Sequence, residues 1–363
     1  MTADTALRVR EFVPLAPLTT LGIGGPARWF STVGTFSEVS AAPAWCHERS
    51  VPLFVLGGGS NLVVADHGIH ALVIRLGVRG IRFEPLADGS TRMTAGAGEP
   101  WDDVVGASVA RGLAGLECLS GIPGSTGGTP VQNVGAYGQE VADTIESVTI
   151  CDGGTGIISQ VPASECRFSY RMSRFKSEPR RSVVLDVTFR LRPGAPTIRY
   201  PDLRDWTARE GITEPTLDDV RRAVIAIRQT KGMVVDADDP DSRSVGSFFM
   251  NPIVSTAGRE AIAAIAAQSP PAFAAGADLV KVPAAWLIER AGFCKGYVDG
   301  PVGISGKHPL AIVNRGGARA VDVVRLATRM KRGVAERFGI SLRPEPIFAG
   351  FDQDPDVKYL VDG

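Results

Sequence analysis

Residues 51–61 read VPLFVLGGGSN, and this stretch does most to decide the fold. The apolar run at 51–56 is typical of a short buried strand, and it ends directly in three glycines at 57–59. Glycine permits positive φ angles and leaves room for several amide groups to converge. Converging N–H groups bind anions such as phosphates, and Ser60 and Asn61 add side-chain donors. By itself the stretch is equally compatible with a phosphate-binding loop and with a simple turn.

A second glycine-rich stretch, SGIPGSTGGTPVQNVGAYG, occupies residues 120–138. Irregular loops of this length in compact domains are usually functional. Its polar side chains are small hydroxyls and amides, which suit hydrogen bonds to a planar heterocycle and a pyrophosphate. Neither stretch has the GxxxxGK(S/T) pattern of P-loop nucleotidases, and the sequence suggests no metal site. Together the two stretches predict an organic dinucleotide cofactor that is held mainly by backbone groups.

A third glycine pattern, GIGGPA at 22–27, has the form of a dinucleotide-binding fingerprint. Such fingerprints follow a strand and open a helix. Here Pro14 and Pro17 precede the pattern and Pro26 lies inside it, so we expect a tight turn instead.

The composition excludes several classes of protein. Basic and acidic residues number 39 each, so the zero net charge offers no electrostatic attraction for nucleic acid. No run approaches 18 uncharged apolar residues, and residues 1–11 lack the apolar centre of a secretion signal, so we expect neither a membrane span nor export. The five cysteines are odd in number and form no CxxC pair, which indicates buried thiols in a reducing compartment. We therefore expect a cytoplasmic protein, with a monomer as the default state.

Hydrophobic periodicity predicts strands and helices without strict alternation, which favours an α+β fold. The predicted strands lie at 51–56, 71–75, 81–84, 148–151 and 183–190, the last with the alternation of a half-buried strand. The predicted helices lie at 99–111, 259–267, 283–291 and 318–338, and a further helix follows a capping Thr216. On the last helix, the arginines expected to be exposed are Arg325, Arg329, Arg332 and Arg337. Prolines and glycines at 192–215 indicate a domain boundary.

Five motifs in a fixed order carry a family resemblance. They are GGGSN at 57–61, SGIPGSTGG at 120–128, QNVGAYGQE at 132–140, CRFSYRMSRFK at 166–176 and GSFFMNP at 246–252. From about residue 19 to 350 the chain resembles the UDP-N-acetylenolpyruvoylglucosamine reductase (MurB) family. The resemblance implies an α+β chain with the FAD-binding fold of the p-cresol methylhydroxylase and vanillyl-alcohol oxidase type. It implies FAD-binding subdomains at 1–78 and 79–214, a mobile tyrosine loop near 195–205, and a C-terminal α+β substrate-binding domain at 215–363.

The resemblance also implies a reaction. NADPH would reduce non-covalently bound FAD, which would then reduce the enolpyruvyl group of a UDP-sugar during peptidoglycan precursor synthesis, a step on which cell shape and division depend. The cofactor-binding residues that it implies are Gly57, Gly58, Gly59, Ser60, Asn61, Ser120, Gly121, Ile122, Pro123, Gly124, Ser125, Gly128, Asn133, Gly135 and Ala136.

Three residues match the catalytic positions of that family. Ser247 would protonate the carbon next to the one that receives hydride, with Phe248 and Phe249 excluding water. Arg171 would hold the enolpyruvyl carboxylate through its planar guanidinium. Glu345, bracketed by prolines, would donate a hydrogen bond to the enolate oxygen from a buried, protonated carboxyl.

Substrate contacts are implied at Tyr200 on the tyrosine loop, at Lys231 near the diphosphate, and at Asn251 near the sugar. Two features depart from the family pattern. Met250 stands where many members carry lysine, and the acidic run at 236–241 has the composition of a solvated loop that lengthens the path to Ser247.

Two other functions remain open at this point. The first is an alcohol or sugar oxidase on the same FAD-binding fold. Such oxidases often attach FAD covalently to a histidine on the first glycine loop, whereas His67 and His70 lie beyond that loop in this chain. The second is a flavin-binding module without chemistry, which would account for the glycine stretches but not for Ser247, Arg171 and Glu345.

Overall fold

The computed structural model describes residues 7–362, so residues 1–6 and 363, which fall in the first and last expected domains, lie outside the described residues. In the described part the strands are β1 (Arg10–Pro14), β2 (Pro26–Val33), β3 (Leu53–Leu56), β4 (Leu62–Val64), β5 (Ile69–Leu76), β6 (Ile81–Pro85), β7 (Thr91–Gly96), β8 (Leu113–Ala114), β9 (Gly135–Ala136), β10 (Gln139–Glu140), β11 (Ile145–Asp152), β12 (Ile158–Pro162), β13 (Ser182–Pro193), β14 (Ile253–Ser255), β15 (Phe273–Gly276), β16 (Leu279–Lys281), β17 (Val298–Asp299), β18 (Val302–Ile304), β19 (Ile312–Asn314) and β20 (Ile347–Ala349). The helices are α1 (Phe36–Arg49), α2 (Trp101–Val109), α3 (Arg174–Ser177), α4 (Pro201–Arg209), α5 (Leu217–Thr230), α6 (Thr256–Ala266), α7 (Ala284–Arg290), α8 (Ala320–Phe338) and α9 (Pro355–Val361).

The chain divides into two compact units. The first comprises the chain up to Val13 together with Ala27–Gly59 and His70–Val234. The second comprises Pro14–Pro26, Ser60–Ile69 and the chain from Val235 onward.

The first unit is built on two sheets. One has the strand order β1-β2-β5-β3, in which β3 and β5 are parallel. The other is antiparallel, with the order β12-β11-β13-β7-β6 and with β8 paired to the end of β13. Helix α2 packs Trp101, Val104, Val105 and Val109 into the core of this unit, as its sequence predicts.

Strand β13 differs from its expected half-buried character. Every residue from 183 to 189 is buried, including Asp186 and Thr188. The alternation in the sequence did not reveal this, because β13 lies between β11 and β7 and is covered along its length. Burial raises the pKa of Asp186, partly offset by a hydrogen bond with Thr149 and by the charge of Arg82.

The second unit has three small sheets around α8. Strands β14, β16 and β15 form one antiparallel sheet, β17, β18 and β19 form another, and β20 pairs in parallel with β4. The apolar face of α8 is buried, and the four arginines predicted to be off that face are exposed. Within residues 7–362, no helix combines the length and the apolar character that a membrane crossing requires.

The chain passes from the first unit to the second after Val234, and not at the domain boundary that we expected at 214/215. Helix α5 begins after Thr216, whose hydroxyl accepts a hydrogen bond from the Asp219 amide as predicted for a cap. The helix belongs to the first unit because its apolar face is buried there. The members of this small cluster are Cys118, Leu203, Val220, Ala223, Val224 and Ile227. Within the stretch expected to hold a boundary and the tyrosine loop, Pro201 opens α4, since proline suits the first position of a helix.

Two smaller expectations have mixed outcomes. The glycine pattern at 22–27 follows a turn at residues 20–21 and leads directly into strand β2, so it does not open a helix. Four cysteines are buried thiols as predicted, but the prediction was wrong for Cys294, which is exposed. Cys294 lies at the surface shortly after the short helix α7. The sequence around it contains no pattern from which this exposure could have been predicted.

Candidate functional site

The two glycine stretches of the first unit lie directly against each other. A Cβ atom on Gly58 would come within 2.6 Å of the Gly124 Cα, and one on Gly57 within 2.7 Å of the Ser125 Oγ. Both distances are shorter than normal contacts; at position 58 the clash is with backbone atoms, so packing excludes a side chain there, whereas at position 57 the Ser125 side chain would have to move. The first stretch directly follows β3, as the sequence predicted.

Two buried polar atoms beside these stretches lack a hydrogen-bond partner within residues 7–362. They are the Ser125 Oγ and the Arg228 Nε. The Arg228 Cδ lies 3.7 Å from where a Cβ of Gly121 would stand, and its Nη2 donates to the Met233 carbonyl at 2.8 Å. Burial lowers the pKa of Arg228, an effect opposed by Tyr137 and Asp102. Because buried polar groups in proteins are normally satisfied, a hydroxyl and a guanidinium nitrogen of this kind fit a polar, anionic ligand such as a dinucleotide.

Asp102 on α2 anchors the second glycine stretch. Its Oδ1 accepts a hydrogen bond from the Gly121 amide at 2.6 Å, and its two oxygens accept from the Arg221 guanidinium at 2.6 and 2.7 Å. Burial acts to raise the pKa of Asp102, but the hydrogen bonds from Arg221 and Gly121 outweigh it and lower the pKa. Asp102 therefore ties the glycine stretch to α5.

Asn133 maintains the turn that follows. Its Nδ2 donates to the Glu140 carboxylate at 2.7 Å and to the Ser169 carbonyl at 3.2 Å, and its Oδ1 accepts from the Ala142 amide at 3.1 Å. The side chain is thus used inside the protein, where its bonds to Glu140 and Ala142 stabilise the β9–β10 hairpin that contains Gly135 and Ala136.

Arg171 reaches this same turn from a tight loop. Its Nη2 donates to the Gly135 carbonyl at 2.9 Å and its Nη1 to the Asn133 carbonyl at 3.4 Å. Its own φ of 56° is unusual for a residue with a side chain, and Ser169 and Met172 bridge the loop on either side. Strained backbone of this kind is found most often at functional sites.

In the second unit, Ser247 and Glu345 lie on adjacent paired segments. The Glu345 amide donates to the Phe248 carbonyl at 2.9 Å, and the Met250 amide donates to the Arg343 carbonyl at 2.9 Å. Phe248 and Phe249 are buried beside Ser247, as expected. Gly246 has a φ of 75°, so the turn into Ser247 requires glycine for its conformation.

Glu345, for which we expected a buried carboxyl, is half-buried. Its proline neighbours restrict the backbone. Of the residues that follow Glu345, Pro346 is buried, whereas Ile347, the first residue of strand β20, is exposed. The Asn61 Nδ2 donates to the Glu345 carbonyl at 3.3 Å, and the Ile347 amide donates to the Asn61 carbonyl at 3.0 Å. The end of the first glycine loop, Ser60 and Asn61, thereby joins the segment that carries Glu345.

Tyr200 and Lys231 lie together in the first unit. The Tyr200 ring meets the Tyr137 ring edge-on at 5.9 Å, and the Lys231 Nζ lies 5.8 Å from the centre of the Tyr137 ring. Lys231 also forms an ion pair with Asp202 at 2.8 Å, and Lys231 and Asp202 line a groove of about 590 Å³ between α4 and α5.

Asn251 lies in the second unit, where its Oδ1 accepts a hydrogen bond from the Ala284 amide at the start of α7.

Asp236 and Asp238 of the acidic run at 236–241 are exposed, as in the solvated loop that we expected, whereas Asp239 is held in an ion pair. Asp239 has a side chain only 15% exposed and forms an ion pair with Lys307 at 2.9 Å. The Asp236 amide donates to the Ser242 hydroxyl, which in turn donates to the Asp236 carbonyl. Ser242 therefore binds the main chain of Asp236 at the start of the run, and Asp239 pairs with a lysine that is distant in sequence.

Sequence reasoning missed Asp102, Arg228 and Glu117. Arg228 precedes Lys231 by three positions, so helical spacing could have placed both on one face of α5. Asp102 carries no local signal, because Arg221 is 119 positions away, and two of the three donors to Glu117, a buried carboxylate before the second glycine stretch, are 22 and 80 positions away. Among the described residues, no cluster of three or more His, Cys, Asp or Glu side chains is arranged to hold a metal ion.

Two family descriptions match the chain. Residues 28–161 match an FAD-binding domain, and residues 238–349 match the C-terminal domain of UDP-N-acetylenolpyruvoylglucosamine reductase.

Similar proteins cover nearly the whole chain. The UDP-N-acetylenolpyruvoylglucosamine reductase of Thermobifida fusca (strain YX) is 47% identical over 347 residues, which are 93% of this chain and 97% of that protein. The enzyme of the same name from Streptomyces coelicolor is 46% identical over 93% of this chain and 89% of its own length. The crystal structure of the Thermus caldophilus reductase has a TM-score of 0.64 and 28% identity, and the match covers 95% of this chain and 100% of that one. The expected α+β fold class is confirmed, with an FAD-binding domain followed by the C-terminal domain of the reductase family.

Proposed function

The chain belongs to the UDP-N-acetylenolpyruvoylglucosamine reductase family, and we propose that it uses FAD and NADPH to reduce the enolpyruvyl ether of a UDP-sugar. The observation that carries the proposal is identity of 43–47% to reductases of this name along nearly the full length of both proteins. The contact between the glycine stretches, with the unsatisfied Ser125 hydroxyl beside it, supports the cofactor. The product would be a lactyl ether, UDP-N-acetylmuramate, for peptidoglycan synthesis.

FAD would be held mainly by main-chain groups of the two glycine stretches, with Ser125 and Arg228 supplying a hydroxyl and a positive charge. When bound and reduced by NADPH, FAD supplies hydride to the terminal vinyl carbon of the substrate. The remaining task for the protein is to stabilise negative charge on the adjacent carbon and its carboxylate and to deliver one proton.

In this proposal Ser247 donates that proton from its hydroxyl to the adjacent carbon and afterwards recovers one from solvent. A serine hydroxyl is a weak acid, but an enolate carbon is a strong base, and the buried rings of Phe248 and Phe249 limit access of water. Glu345 would donate a hydrogen bond to the enolate oxygen, which its position on the segment paired with Phe248 supports.

Arg171 would bind the substrate carboxylate, because a planar guanidinium can donate two parallel hydrogen bonds. Its bonds to the Asn133 and Gly135 carbonyls support a second role, that of orienting the turn next to the cofactor. Tyr200 and Lys231 would bind the diphosphate part of the substrate, and Asn251 would contact the sugar.

Purified, FAD-loaded protein tests the function directly. We expect NADPH consumption that depends on the enolpyruvyl UDP-sugar, with one lactyl ether formed for each NADPH oxidised. Reduction of FAD by NADPH without any effect of the UDP-sugar would contradict the proposal and favour a module without this chemistry. Oxygen consumption with an alcohol or sugar as reductant would favour the oxidase instead.

Asp102→Asn is expected to weaken FAD binding and to lower the free energy of unfolding by about 1–2 kcal/mol, because charge-assisted bonds to Gly121 and Arg221 are lost at a half-exposed site. The folded pKa of Asp102 lies below its unfolded value, so its contribution is fully present above about pH 4 and is lost as the pH falls through the folded pKa. Urea unfolding at several pH values should therefore show the difference between wild type and variant shrinking below about pH 4.

Asp103→Asn is the matched control, because Asp103 is the exposed neighbour on the same turn of α2. We expect its free energy of unfolding to stay within about 0.5 kcal/mol of the wild type. Equal FAD affinity in the wild type and in Asp102→Asn would count against the anchoring role of Asp102.

A further inference from the structure

A buried carboxylate lies between the second glycine stretch and the tyrosine loop. Glu117 is 0% exposed and begins a short 3-10 helix, Glu117–Leu119, immediately before the glycine stretch. The hydrogen-bond partners of its carboxylate are uncharged amide groups. Within residues 7–362 this carboxylate forms no ion pair, and because burial of an unpaired carboxylate is costly, its presence here calls for a specific role.

Three N–H donors converge on the Glu117 carboxylate. The Gly115 amide donates to Oε2 at 2.7 Å, while the Gln139 Nε2 and the Thr197 amide donate to Oε1 at 2.7 and 2.9 Å. A glutamine at this position would turn its own NH₂ group toward at least one of these donors. Only a side chain that accepts at both oxygens satisfies all three.

Hydrogen bonds to the main chain of Thr197 hold the tyrosine loop in place. The Thr197 amide binds Glu117, and the Thr197 carbonyl accepts a hydrogen bond from the Cys118 Sγ at 3.2 Å. The Cys118 amide donates to the Gln139 Oε1 at 2.8 Å, which closes the network. Glu117 and its neighbour therefore bind both main-chain groups of one residue of the loop.

The same network also fixes the surface on which Tyr200 rests. Tyr137 and Gly138 directly precede Gln139, whose side chain Glu117 holds. The Tyr137 ring contacts the Tyr200 ring, and the Gly138 carbonyl accepts a hydrogen bond from the Arg199 Nη1 at 3.3 Å. Tyr200 thus lies three positions after Thr197, which Glu117 binds, and packs against Tyr137, two positions before Gln139, which Glu117 also binds.

We infer that Glu117 is a positioning residue, which sets the place of Tyr200 for binding of the UDP-sugar by hydrogen-bonding Thr197 and Gln139 at once. This inference rests on the substrate-binding role given to Tyr200 in the proposed function. Glu117 itself touches neither substrate nor cofactor in this role, so its effect should fall on KM for the sugar nucleotide and leave reduction of FAD by NADPH unchanged.

Glu117→Gln in the FAD-loaded enzyme tests the inference. We expect a normal FAD content, an unchanged rate of flavin reduction by NADPH, and a KM for the enolpyruvyl UDP-sugar that rises about tenfold with the loss of a charge-assisted hydrogen bond. Tyr200→Ala should raise the same KM, and the double variant should be no worse than Tyr200→Ala, because both changes remove one function.

Two further variants keep the test decisive. Thr197→Pro deletes the donor on the loop while leaving the carboxylate in place, so it should raise the KM similarly even if Glu117→Gln folds poorly. Glu146→Gln is the control. It removes a different, partly buried carboxylate of the same unit, which accepts hydrogen bonds from Arg92, and it should leave the KM unchanged.

The outcomes separate the inference from the proposed function. Additive effects of Glu117→Gln and Tyr200→Ala, or equal losses in both half-reactions, would overturn the positioning role while the reductase function stands. An unchanged KM in Tyr200→Ala would overturn the substrate role of Tyr200 and the inference with it. If the wild-type protein did not react with the UDP-sugar at all, the proposed function itself would be contradicted.

Discussion

Replacement of Ser247 by alanine is expected to leave the reduction of FAD by NADPH nearly intact while turnover of the UDP-sugar falls by about a hundredfold to ten-thousandfold. The two half-reactions separate because the hydroxyl is needed only when the substrate carbon must be protonated. Rapid mixing of the NADPH-reduced variant with the enolpyruvyl UDP-sugar, followed by absorbance of the flavin, measures the second half-reaction alone.

Ser244→Ala is the matched control for Ser247→Ala. The Ser244 hydroxyl accepts a hydrogen bond from the Gly246 amide at 3.1 Å, so its removal disturbs the same turn without removing the proposed proton donor. We expect this control to unfold at a lower temperature but to keep its oxidative half-reaction within a few-fold of the wild type. Equal loss of both half-reactions in Ser247→Ala would mean that the serine has a structural role only.

Arg171→Lys is expected to lower kcat/KM for the UDP-sugar by about a hundredfold, although the positive charge is kept. Lysine is a point charge and cannot replace a planar group that binds two oxygens at once, and loss of such a pair typically costs about 2–5 kcal/mol. The bonds from Arg171 to the Asn133 and Gly135 carbonyls would also be lost, so FAD should bind more weakly. Steady-state kinetics and titration of the apoprotein with FAD measure the two effects.

Arg174→Lys provides the comparison for Arg171→Lys. Arg174 lies three positions along the same segment, and its guanidinium forms a long ion pair of 3.8 Å with the exposed Glu165. We expect kcat/KM to be unchanged in this control, since exposed pairs of this kind contribute little. A value of kcat/KM within twofold of the wild type in Arg171→Lys would contradict the carboxylate-binding role.

Much of the local structure was predictable because it depends on neighbours in the chain. The apolar run before Gly57 forms β3, the capping Thr216 begins α5, and the four arginines of α8 are exposed. Each of these features follows from short-range rules of packing, capping and helical spacing. The full burial of β13 and the exposure of Cys294 did not follow from such rules, because they depend on what covers the segment in three dimensions.

The sequence by itself determined the class of cofactor and the family. Glycine at 58 is required by a close approach to the backbone of Gly124 and Ser125, and such a requirement is visible as a motif in the chain. Only the tertiary structure decided how the site is held together. It assigned α5 to the first unit, joined Asp102 to Arg221 across 119 positions, and joined Glu117 to Thr197 across 80. The physical reason is that a buried acceptor is defined by the donors that folding brings to it, and those donors leave no pattern beside it in the sequence.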